Sequence, residues 1–298
     1  MANALCYLET SFRRFPDRCA VTDDCRSYTY GEFYRLSRRI GTGLARLTGP
    51  KQGVGIYLEK NADAVAAFLG AQWAGCFYSV LNTELPGPRL DQIAAQLRPA
   101  VIVTCRELLA QAREIFPGQR LVCLEDLAMT PENADALAAI QARAIDTDPL
   151  YVNFTSGSTG VPKGIVVSSR SVLDFIGCFT ELFGITEGDV IANQAPFDFD
   201  VSVKDIYSAM KAGATLAVVP RRLFSTPTEL MDFLCEKQAT TLIWAVSALC
   251  LITGFHALDY KTPQSIRKIL FSGEVMPLRA LKEFRKHLPD ATYVNLYG

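Results

Sequence analysis

The stretch Asn153–Gly164, NFTSGSTGVPKG, decides how this chain is read. It packs three Gly, two Ser, two Thr, one Pro and one Lys into twelve residues. Apolar sequence flanks it on both sides, Tyr151–Val152 before and Ile165–Val167 after. A loop with several Gly is one whose backbone must come close to something. Gly removes the Cβ and lets backbone N–H groups converge on an anion. Thr155, Ser156, Ser158 and Thr159 add hydroxyl donors, and Lys163 adds a point charge. The pattern therefore points to a phosphate-wrapping loop after a strand, with Gly157 and Gly160 supplying the close approach. The competing reading is a mobile Ser/Gly surface loop, but such loops rarely carry a fixed Pro-Lys-Gly. The kinase and GTPase P-loop, G-x-x-x-x-G-K-[ST], does not fit. Counting from Gly157, its second Gly falls on Pro162, and its Ser/Thr falls on Gly164.

Working outward, strand-like and helix-like segments alternate. Gly53–Leu58 reads as a strand and Ala62–Trp73 as a helix; short strands follow at 100–104 and 121–124. In the second half, strands are expected at 151–154, 190–192, 215–219, 241–245, 268–271 and 293–296. Helices are expected between them at 171–183, 203–211, 227–237, 248–255 and 278–287. This alternation implies an α/β fold, a largely parallel doubly wound sheet with helices on both faces. Ligands then bind beyond the carboxyl ends of the strands. Ala128–Thr147 has no clear period and reads as a hinge or surface excursion.

Bulk composition narrows the class. The chain has 298 residues, 49% of them hydrophobic and 20% charged, as in a globular protein with a substantial core. A net charge of −1 gives no global attraction to nucleic acid or anionic membrane. The first residues hold no long apolar region, so no signal peptide is read. Ala64–Leu81 approaches membrane-spanning length, but Gln72 and Gly75 make a buried helix followed by a strand the better reading. Nine Cys without a C-x-x-C, and only two His, His256 and His287, argue against a disulfide framework or a zinc site. A cytoplasmic, reduced protein is expected.

Thr155–Gly164 resembles the signature loop T-S-G-[ST]-T-G-x-P-K-G of the adenylate-forming superfamily, which includes acyl-CoA synthetases, luciferases and nonribosomal peptide synthetase adenylation domains. Other elements resemble that family in the same order. Ser27–Phe33 (SYTYGEF) is similar to its L-T-Y-x-E-L element, and Ala74–Arg89 to its A-G-x-x-Y-x-P element. Phe199–Ser202 is similar to F-D-x-S, Gly273–Glu274 with Pro277 to G-E-x-x-x-P but one residue shorter, and Asn295–Gly298 to the start of N-x-Y-G-P-T-E.

The resemblance implies a two-step reaction. A carboxylate is activated by ATP as an acyl-adenylate with release of pyrophosphate, and then passes to a thiol of CoA or of a carrier-protein phosphopantetheine. It also implies an incomplete large N-terminal domain. The chain stops where the family continues with Pro-Thr-Glu. The Mg2+ ligands, the catalytic Lys and the small C-terminal domain would lie further on, so the chain alone is expected to be inactive. Residues 1–298 would form sublobes of roughly 50–185 and 1–49 plus 186–298.

Two sets of pocket residues are carried over by the resemblance. Adenine would lie near Gly273, Glu274, Val275, Asn295 and Tyr297. The substrate wall would be Asp200, Val201, Lys204, Trp244, Leu270, Ser272 and Leu296. Asp200 would be a buried carboxylate that pairs with the α-ammonium of an amino acid; the competing reading is a helix N-cap. Lys204, one turn on, would read an acidic side chain, or else pair with Asp200 at i,i+4. Trp244 and Tyr297 have ordinary core packing as their competing reading. An amino-acid adenylating enzyme serving a carrier protein is therefore expected. A D-alanine–carrier protein ligase, an acyl-CoA synthetase and a non-catalytic nucleotide-binding remnant stay open as alternatives. Asn193–Tyr207 resembles the D-alanine ligases, which usually have Cys where Ser272 stands.

Overall fold

The computed structural model describes residues 3–155 and 160–296. Its strands in chain order are β1 (Cys19–Thr22), β2 (Ser27–Thr29), β3 (Gly53–Ile56), β4 (Phe77–Val80), β5 (Val101–Thr104), β6 (Leu121–Cys123) and β7 (Pro149–Thr155), then β8 (Lys163–Ser168), β9 (Val190–Asn193), β10 (Thr215–Val218), β11 (Thr241–Ala245), β12 (Lys268–Ser272) and β13 (Thr292–Asn295). Two sheets result. One has the order β6-β5-β3-β4-β7-β8, the other β13-β12-β11-β9-β10-β1-β2. Pairing is parallel except for β1–β2 and β7–β8. The α/β, largely parallel architecture expected from the alternation is present. Strands such as Val101–Thr104 are buried throughout, as in parallel sheets covered on both faces.

The two sheets share a core built on two helices. Tyr30–Ala45 starts with a capping box: Thr29 accepts from the Glu32 N–H, and the Glu32 carboxylate accepts from the Thr29 N–H. It packs on Ala62–Trp73, a helix buried on nearly every face. Close approach requires Gly at the crossing. A Cβ on Gly70 would stand 2.3 Å from Ile40 Cγ2, and one on Gly41 would stand 2.4 Å from Trp73 Cβ. Gln72 is buried there and donates to Tyr207 Oη at 2.7 Å. The membrane-like stretch Ala64–Leu81 is thus this core helix, a turn at Gly75 (φ +71°) and β4. Among the described residues no helix is long and apolar enough to cross a membrane.

One expectation is corrected. Within Ala128–Thr147, residues Ala134–Gln141 form a helix capped by Asn133, with Leu137 buried. Gln141 donates to Gln72 O and Trp73 O, both at 3.0 Å, and so closes the carbonyl end of the core helix.

Candidate active site at the strand ends

The hairpin β7–β8 carries the Gly-rich loop. Thr155 ends β7 and pairs with Lys163, which opens β8. Both are exposed. Gly160 has φ +79°, and a Cβ there would meet nothing within 4 Å. The position combines a glycine-favouring backbone with open space for a ligand. Lys163 makes no ion pair among the described residues. Ser156, Gly157, Ser158 and Thr159 lie outside the described residues.

A second element at the strand ends is the loop after β9, Gln194–Val201. Residues from the other sheet hold it. Lys60, in the loop after β3, donates its ammonium to Asn193 O (2.9 Å), Gln194 O (2.9 Å) and Val219 O (3.0 Å). These carbonyls end β9 and follow β10. Asn82, in the loop after β4, donates to Asp198 Oδ2 at 3.1 Å. Glu84 forms an ion pair with Arg221. Three side chains after β3 and β4 thus reach the carboxyl-end loops of β9 and β10, the position where doubly wound sheets bind ligands.

The interior of this junction is polar. Asp205 is fully buried and accepts from Asn193 Nδ2 at 2.5 Å. Burial pushes its carboxyl up to about 7, against the pull of Asn193, Lys204 and Lys60. Burial likewise brings the Lys60 ammonium down to about 7, with Asp205 acting in the opposite sense. Asn193 Oδ1, Asp205 Oδ1 and Asp198 Oδ1 are buried without a hydrogen-bond partner among the described residues. Lys60, Asn82, Asp198 and Asp205 were not singled out by the sequence reading. The available signal was a Lys directly after an apolar strand, at the end where ligands bind.

Asp200 is exposed rather than buried, contrary to expectation. Nor does it cap a helix: Ser202–Ala212 begins at Val201 with no side-chain cap. The Asp200 carboxylate has no hydrogen bond or ion pair among the described residues. Its charge is felt by buried Tyr151 on β7, whose hydroxyl is raised to about 12 by burial and then by Asp200. Asp200 thus follows β9 within reach of the charge-sensitive hydroxyl of Tyr151, on the strand that leads into the Gly-rich loop. Lys204 is half-buried and forms no ion pair with Asp200 within 4.0 Å; its charge acts on Asp205 instead. Val201 is 37% exposed, and Phe199 beside it 58%.

The candidate adenine residues come together at adjacent strand ends. Gly273 (φ +95°), Glu274 and Val275 follow β12 and are exposed, Val275 at 87%. Asn295 ends β13, pairs in register with Phe271 and is also exposed. Tyr297 lies outside the described residues. A cleft of about 540 Å³ is lined by Leu270, Asn295 and Leu296 together with Leu182 and Phe183. Asp200, Val201 and Lys204 do not line it.

Trp244 requires a correction. It is 1% exposed, its indole N–H donates to Ala192 O at 2.7 Å, and its ring meets Phe224 at 5.3 Å. In β11 it pairs with Phe271, while Ile243 pairs with Leu270. Side chains alternate along a strand, so Trp244 and Leu270 point to opposite faces and belong to different core clusters. Trp244 is a core residue. Ser272 is half-buried at the end of β12, in register with Ala245.

With a Gly-rich hairpin and an unpartnered carboxylate among the described residues both at strand ends, family comparison decides the class. The family profile described as AMP-binding enzyme matches residues 8–298. The chain belongs to this AMP-binding enzyme family. It is 32% identical over 295 residues to the L-proline–[L-prolyl-carrier protein] ligase of Pseudomonas fluorescens, covering 97% of this chain and 59% of that protein. It is 33% identical over 284 residues to phosphinothricin tripeptide synthetase PhsC of Streptomyces viridochromogenes, covering 93% and 25%. It is 28% identical over 282 residues to a D-alanine–D-alanyl carrier protein ligase of Bacillus velezensis, covering 91% and 54%. The chain thus spans 25% to 59% of these curated relatives. The nonribosomal peptide synthetase FmoA3 in its AMPPNP-bound form has the same fold, with a TM-score of 0.86 at 24% identity, covering 100% of this chain and 31% of that one. VinN in complex with L-aspartate also shares it, with a TM-score of 0.86 at 19% identity, covering 99% and 76%.

Proposed function

We propose that this chain is the nucleotide- and amino-acid-binding part of a longer ligase that activates an amino acid with ATP and passes it to a carrier-protein phosphopantetheine. The observation that carries the reading is Asp200: an exposed carboxylate in the loop after β9, with no cap to make and no partner among the described residues. Such a group suits the α-ammonium of an amino acid, and a charged hydrogen bond of that kind contributes about 1.5–3 kcal/mol. The reading takes the sheets as two lobes, roughly 50–185 and 1–49 plus 186–298.

Bound ATP would supply the α-phosphorus that the amino-acid carboxylate attacks as pyrophosphate leaves; a carrier thiol then takes the aminoacyl group and AMP departs. The hairpin fits a phosphate chain, because Gly160 leaves open space and Lys163 a charge with no ion pair among the described residues. Gly273, Glu274, Val275 and Asn295 would flank the base. Asp200 orients the substrate so that its carboxylate faces the nucleotide, and positioning is most of the catalysis. Among the described residues no cluster of three His, Cys, Asp or Glu side chains lies at the hairpin. The two described clusters that could hold a metal are Asp23–Asp24–Cys25 and Asp259–Glu283–His287, at the β1–β2 turn and on helices around His287. The Mg2+ ligands and the catalytic Lys are assigned to the longer protein.

Lys204, freed from Asp200, supports an acidic side chain as the substrate. The test is amino-acid-dependent ATP–pyrophosphate exchange by the full-length protein over acidic, small, aromatic and D-amino acids. Exchange with Asp or Glu that is lost in Lys204→Ala is expected. A preference for D-alanine would move the protein to the D-alanine–carrier ligases.

A further inference from the structure

We propose that Arg89 is a positioning residue that clasps the phosphate hairpin from behind, so that nucleotide affinity depends on a side chain contributed by a separate helix. This rests on the hairpin being the phosphate site. The Arg89 guanidinium donates through Nη1 to Gly160 O at 3.2 Å and through Nη2 to Thr155 O at 3.4 Å. These are the two described residues that bracket the loop's Ser and Thr hydroxyls. One rigid planar group therefore sets the distance between the two ends of the loop. Arg suits this role and Lys does not, because Lys is a flexible point charge without a fixed fork.

The clasp is anchored. Arg89 lies on the helix Gly87–Leu97, which starts after Pro86 with Pro88 in its first turn. Its neighbour Leu90 is fully buried, in a cluster with Tyr57, Leu81, Ile102 and Phe116. The guanidinium is thus carried by an element fixed in the core. Because a trans peptide sets C=O and N–H on opposite sides, the carbonyl of Gly160 turned to Arg89 leaves the Val161 N–H facing away from it. The clasp both fixes the loop ends and sets an always-positive charge close behind an anion site.

The experiment compares wild type, Arg89→Met and Arg89→Lys in the full-length protein. ATP and amino-acid dissociation constants are measured separately by calorimetry, and tryptic cleavage after Lys163 is followed without nucleotide. Arg89→Met is expected to weaken ATP binding about tenfold, through loss of two charged hydrogen bonds. Amino-acid binding and the thermal midpoint should stay unchanged, and cleavage after Lys163 should quicken. Arg89→Lys should recover only part. Equal ATP affinity and equal cleavage in Arg89→Met and wild type would overturn the proposal. So would a parallel loss of ATP binding, amino-acid binding and thermal stability, the mark of a purely structural role. If wild type binds no ATP, the reading of the hairpin fails, and cleavage after Lys163 still decides whether Arg89 clasps the loop.

Discussion

The ammonium of Lys60 is held by three carbonyls, whereas that of Lys163 makes no ion pair among the described residues. Both stand at the candidate site, and they mark two kinds of construction. Around Lys60 the backbone of Asn193 and Gln194 and the side chain of Asp198 are tied to the other sheet, and Asp205 is buried beside Asn193. Around Lys163 the hairpin is exposed along most of β8, with Ile165 and Val166 more than half open to solvent. The Lys60 side is tied throughout, while the Lys163 hairpin is held at Thr155 and Gly160 by Arg89. Loops that take up ligands commonly come from the less stable part of a fold.

Substitutions in the two regions should differ in what they cost. The largest loss is expected for Lys60→Met, which removes the three hydrogen bonds to Asn193 O, Gln194 O and Val219 O across the two sheets: about 3 kcal/mol in denaturant unfolding. A cost below about 1 kcal/mol would show that the junction is no tie. Gly70→Ala should follow at roughly 1–3 kcal/mol, because its Cβ would press on Ile40 in a packed core.

Asp205 sharpens the comparison through pH. Its folded carboxyl is raised to about 7 by burial, so folding favours the protonated form. Its contribution is therefore fully present below the unfolded value near 3.8 and is lost as pH rises towards 7. Asp205→Asn should flatten that part of a stability–pH profile, whereas a profile unchanged between pH 4 and 7 would contradict a buried carboxyl. The smallest stability change belongs to Lys163→Met on the exposed hairpin, within about 0.5 kcal/mol, with its effect appearing in ATP affinity instead.

Much of the fold was legible because alternating apolar segments of strand and helix length leave few architectures open. The helix at Ala134–Gln141 was missed because its short, Ala-rich pattern gains meaning only from Gln141 closing the end of a helix some 68 residues earlier in sequence. Lys60 escaped notice for the same reason: its partners are backbone carbonyls between 133 and 159 residues away. Trp244 was misplaced because strand register, which sequence spacing does not show, turns it onto the Phe271 face. Asp200 was found by its motif, but its exposure and the uncapped helix beside it came only from the structure.

The most direct test of the account is pyrophosphate exchange by the full-length protein with an amino acid and with the same acid lacking its amino group, in wild type and Asp200→Asn. The account predicts that wild type uses the amino acid and not its des-amino counterpart. It also predicts that Asp200→Asn raises the amino-acid KM about 10- to 100-fold, the equivalent of one charged hydrogen bond. Equal exchange with the des-amino acid, and a KM untouched by Asp200→Asn, would contradict the assignment of this site to amino acids.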